Sequence, residues 1–122
     1  GGPVAVFYDG GDYFEAALDR AAGFAKAYGT GVRVIPSIVI PEGQWAGILE
    51  RAQQHISEVS PGVEVEITPY GREHSAKELL RRSEGTRMIV ANARQGDEST
   101  QPVVSTTAFL QYAHTPVWLE RS

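Results

Sequence analysis

The sequence contains no cysteine, so disulfides, thiolate metal sites and a cysteine nucleophile are all excluded. That absence suits a reducing compartment. No apolar run approaches the roughly 20 residues of a membrane span, and no stretch has the pattern of a signal peptide. There is no block of like charges: 11 Lys and Arg face 15 Asp and Glu, for a net charge of -4. A mildly acidic chain lacks the basic patch that drives binding to DNA, RNA or anionic lipid. A small anion held by backbone N–H groups stays open. The three histidines, His55, His74 and His114, fall on different elements without metal-ligand spacing, and read as surface or capping residues. A G-x-S-x-G elbow is missing, which argues against a Ser-His-Asp hydrolase.

What remains is a chain of 122 residues, 42% hydrophobic and 21% charged, enough for one domain with one modest core. Pro3 to Tyr8 is apolar nearly throughout, as in a strand covered on both faces. Asp9-Gly10-Gly11-Asp12 then turns the chain into a helix. Phe14, Ala17, Leu18, Ala21, Ala25 and Tyr28 make one helical stripe, with Gly29 as its C-cap. Val32 to Ile40 is the second strand, ending or bulging at Pro36. Trp45, Ile48, Leu49, Ala52, Ile56 and Val59 form a second stripe, which Pro61-Gly62 breaks.

Val63 to Ile67 alternates strictly, so this third strand has one wet face and belongs at a sheet edge. Ser75 and Glu78 form a capping box, with Leu79 and Leu80 on the buried side of the helix it opens. The fourth strand is 87–91. A polar loop from Asn92 to Gln101 follows, then a helix near 102–113 with Pro102 at its start. The fifth strand is 115–120. Strict alternation of strand and helix predicts an α/β fold, a parallel sheet with helices on both faces and right-handed crossovers.

In such a sheet ligands sit beyond the carboxyl ends of the strands. The loop after the fourth strand is therefore the first place to look, and it carries Arg94, Gly96 and, at the next helix start, Ser105. These could hold an anion, or could be an ordinary exposed loop with a helix-end hydroxyl. Asp9 could hold a ligand hydroxyl or serve as a turn carboxylate. Tyr112 and Trp118 read as core or as a dimer contact.

Val6-Phe7-Tyr8-Asp9-Gly10-Gly11 with Ala16-Ala17-Leu18 resembles the opening strand, turn and helix of the universal stress protein family. Pro61-Gly62-Val63-Glu64-Val65-Glu66 resembles its third strand. Gly71 ahead of Ser75 is similar to its next helix start, and Ala113-His114-Thr115-Pro116-Val117-Trp118-Leu119 resembles its terminal strand. The resemblance implies an open, Rossmann-like five-stranded sheet of order 3-2-1-4-5, and a homodimer through the last strand. It also implies an adenine nucleotide as the candidate cofactor, near Asp9, Gly10, Val39, Ala91, Asn92, Arg94, Gly96 and Ser105. Trp45 and the preceding Ile38-Val39-Ile40-Pro41 fall where the family's adenine pocket is bordered, although a core role for Trp45 is the simpler reading.

The ATP-binding branch of that family carries G-x-x-G-x9-G-(S/T), whose glycines fall here on Ala91, Arg94 and Val104. Only Ser105 matches. Glycine permits positive φ and close approach of backbone N–H groups to phosphate. Arg94 and Val104 put side chains in that space, and although Arg94 could pair with an anion, Asp97 and Glu98 oppose it. The expectation is a non-enzymatic dimerising or regulatory domain with weak or no ATP binding, free of nucleic acid and not inserted in a membrane. Two alternatives are a cytosolic regulatory domain cut from a membrane transporter, which the Gly1-Gly2 start would suit, and a slow nucleotide hydrolase. The expected location is the cytoplasm, or the cytoplasmic face of a membrane in the transporter case.

Overall fold

Val4–Tyr8 forms β1 because each of its residues finds apolar cover, four of the five being buried. The computed structural model describes residues 2–8, 14–36, 41–68, 81–92 and 115–120. After β1 come α1 (Phe14–Tyr28), β2 (Val32–Pro36), a single 3-10 turn (Glu42–Gln44), α2 (Trp45–Val59), β3 (Val65–Ile67), β4 (Met88–Asn92) and β5 (Val117–Glu120). The five strands form one sheet in the order β3-β2-β1-β4-β5, all neighbours parallel. Order and direction are as expected. The expected capping box at Ser75 and the helix near 102–113 lie outside the described residues.

The pleat sorts the strands into two faces. Val4, Val6, Val32, Val34 and Val90 point to one face, where Ala17, Leu18, Ala21 and Ala25 of α1 and Ala52 and Ile56 of α2 cover them. Ala5, Phe7, Ile35, Ile89 and Ala91 point to the other and are equally buried. A sheet buried on both faces explains why β1, β2 and β4 read as continuous apolar runs. Four alanines let the backbone of α1 lie close to the sheet, and Leu18 fills the remaining space, its burial contributing about 2–3 kcal/mol.

The stops work as expected. Gly29 takes φ 69°, and Thr30 N–H bonds the Ala25 carbonyl at 2.9 Å, closing a Schellman cap on α1. Pro36 is the last residue of β2. Gly62, at φ 94°, turns the chain from α2 towards β3. As an edge strand β3 is the wet one: Glu66 is exposed between half-buried Val65 and Ile67. On that edge Arg33 of β2 pairs with Glu66 at 2.8 Å and donates to the carbonyls of Arg82 and Glu84, tying β2, β3 and the approach to β4 together.

Two stripe residues are corrected. Tyr28 and Val59 were expected on the buried stripes, yet they are 48% and 50% exposed. Each is the last residue of its helix. Tyr28 instead receives the Arg87 guanidinium over its ring, 4.6 Å from the centroid. Ile48 and Leu49 are half-buried, so α2 buries fully only Ala52 and Ile56.

Candidate functional site

The chain leaves β1 for β2 on one side and later returns to β4 on the other, so β1 is where the winding reverses. Connections running off in opposite directions leave a crevice at the carboxyl ends of the two central strands. The β1–β2 ladder continues to Tyr8↔Pro36, whereas the β1–β4 register runs only from Val4↔Met88 to Val6↔Val90. The end of β1 thus stays with β2, and the crevice opens on the β4 side.

Two of the expected site residues fall within the described part of this rim. Ala91, at the first motif-glycine position, is buried in the cluster of Ala5, Phe7, Ile35 and Ile89. Asn92 ends β4, level with Glu120 of β5. Asp9 and Gly10 follow β1 directly in the sequence, but they, Val39, Arg94, Gly96 and Ser105 lie outside the described residues. So do His74, His114 and Tyr112. The described residues hold no cluster of His, Asp or Glu fit for a metal ion.

Two aromatic residues, one ending β1 and one opening α2, were not among the expected ligands. Tyr8, the last residue of β1, packs edge-on against Phe14 at the start of α1, with ring centroids 4.8 Å apart. Trp45, the first residue of α2, is half-buried, and its indole Nε1 is shielded from solvent, with no hydrogen-bond partner among the described residues. A single-sequence reading sees an aromatic residue at the head of a helical stripe. It cannot see a missing acceptor, because that is a property of the tertiary surroundings.

Away from the crevice, His55 of α2 pairs with Asp19 of α1, so it joins two helices rather than capping one. Trp118, on outer strand β5, is 42% exposed. Its ring meets Phe24 edge-on at 5.2 Å and lies under the Arg20 guanidinium at 5.3 Å. Beside it a groove of about 550 Å³ runs along α1, lined by Ala16, Asp19, Arg20, Gly23 and Phe24. A second depression of about 400 Å³ lies between the ends of α1 and α2, with Lys26, Thr30 and Glu64 on its walls.

No protein-family model matches the chain, and no curated protein sequence matches it. Solved structures do. A universal stress protein from Archaeoglobus fulgidus in complex with dAMP superposes with a TM-score of 0.72 at 21% identity, covering 98% of this chain and 97% of that one. A universal stress protein in complex with cAMP gives 0.72 at 17% identity, covering 98% and 96%. One from Lactobacillus plantarum gives 0.68 at 17%, covering 98% and 97%. At these identities the likeness is one of fold: the chain has the Rossmann-like α/β fold of the universal stress proteins over nearly its whole length.

Proposed function

We propose that the chain is a single universal stress protein-like domain that binds an adenine mononucleotide at the β1–β4 crevice and acts by regulation rather than catalysis. The observation that carries the reading is the fold match along almost the full length of two proteins solved with cAMP and dAMP. Each of those nucleotides bears one phosphate. A single phosphate needs fewer backbone donors than a triphosphate, which suits a loop with Ala91, Arg94 and Val104 where glycines would give the closest approach. Asp9, which follows β1 in the sequence, would take a ribose hydroxyl, and Arg94 the phosphate. A ligand would signal by favouring one conformation over another.

The same reading includes a homodimer through β5. The described part of β5 pairs with β4 alone, and it ends the strand order. An open edge bearing an exposed tryptophan is a surface that a second copy would cover. Replacing Trp118 by Glu should shift the chain from dimer to monomer in light scattering.

Isothermal titration tests the nucleotide reading. Saturable heats with cAMP, AMP and dAMP, and weaker ones with ATP, are the expected result. Submicromolar ATP affinity would overturn the preference for one phosphate. Phosphate release from ATP that disappears in Asp9→Ala would replace the regulatory reading with a hydrolase.

A further inference from the structure

What a helix buries and how its ends are finished decide how firmly it is held, and α2 is poor in both. Of its 15 residues only Ala52 and Ile56 are fully buried, and Ala52 contributes a single methyl group. Gln44, ahead of it, makes no side-chain capping bond. Its last turn holds Glu58 and no basic residue, so a negative charge stands at the negative end of the helix dipole. Gly47 lies inside the helix with open space where a Cβ would be, which weakens the helix with no gain in packing. α1, of the same length, has six buried residues, Glu15 in its first turn, Lys26 in its last and the Gly29 cap.

Among the described residues two polar ties hold α2 from outside. His55 pairs with Asp19 of α1, and Gln53 Nε2 donates to the Val65 carbonyl of β3 at 3.4 Å. Both ties are exposed, and exposed ties contribute little. A free helix of this length is marginal in water, so α2 melts once it leaves its neighbours. The centre of the sheet does not depend on it. β1 pairs with β2 and β4, and α1 covers the same face. We propose that α2 is a separately opening flap: it undocks from α1 and β3 and melts while α1 and the strands β1, β2 and β4 stay folded. Opening uncovers the apolar side of β3, where Val65 and Ile67 are half-buried against the same cluster as Ala52 and Ile56.

Native-state amide hydrogen exchange tests this. The inner amides of α2 should share one opening free energy and exchange at least about tenfold faster than the inner amides of α1. A smaller ratio, or rates that only grade inward from the helix ends, overturns the proposal. Gly23→Ala then separates local from global opening. It stabilises α1, which is folded in both the closed and the flap-open states, so exchange in α1 should slow about fivefold while α2 keeps its rate. If α2 slows in step with α1, it opens only when the whole chain unfolds, and the flap does not exist. Gly47→Ala should slow exchange across α2 about fivefold. An unchanged rate would mean that the helix survives undocking, against the proposal.

Discussion

Helices α1 and α2 are each 15 residues long and pack on the same face of the sheet, but α1 buries six residues and α2 only two. Both carry a regular apolar stripe, so pattern does not explain the difference. Position does. The stripe of α1 lies over central β1 and β4, while α2 lies on the edge strand β3, where less apolar surface is available to it. The fold thus has a deeply seated helix at its centre and a more lightly held one towards the β3 edge. A helix with little buried area opens at low free energy.

Core truncation is the strongest way to break this comparison. Leu18→Ala in α1 should cost about 3 kcal/mol in urea unfolding, whereas Leu49→Ala in α2 should cost about 1 kcal/mol. Equal losses would mean that the two helices are held alike. Next comes the joint between the two halves. A Cβ on Gly31 would lie 2.9 Å from the Glu64 carbonyl oxygen, a backbone atom that already accepts from Val32 N–H. Gly31→Ala should therefore destabilise by about 2 kcal/mol, read as a lower denaturation midpoint.

Gly23 gives the opposite sign. It sits inside α1, and an added Cβ meets nothing within 4 Å. Gly23→Ala should stabilise by about 1 kcal/mol, seen as a raised Tm, and so deepen the contrast between the helices. The smallest effect belongs to the ion pair that joins them. The side chains of Asp19 and His55 are 46% and 26% exposed, so Asp19→Asn should cost about 0.5 kcal/mol at low salt and less at high salt.

The parts of the fold legible in the sequence are those decided locally. Gly29, Pro36 and Pro61-Gly62 mark ends because the backbone permits little else there. Val63 to Ile67 betrays an edge because alternation records one wet face. Tyr28 and Val59 were misjudged because periodicity gives a side chain's angle around the helix axis but not whether sheet still lies beneath it. The candidate site was legible only as a place. Sheet topology locates the crevice, and Ala91 and Asn92 fall at the end of β4, whereas the lack of a partner for the Trp45 donor among the described residues depends on neighbours brought together by the tertiary fold. No spacing rule encodes it.

The placement of β1 between β2 and β4 also has a consequence for how the chain is made. As synthesis proceeds, β1 acquires its first partner from Val32–Pro36, and the unit β3-β2-β1 is available before the second partner, Met88–Asn92, has been translated. Until then the flank of β1 awaiting β4 is an unmatched row of amides and carbonyls along the edge of the nascent sheet. Pairings this distant along the chain form slowly, and exposed strand flanks invite association between chains. A ribosome pausing between β3 and β4 would therefore leave this protein at its most aggregation-prone.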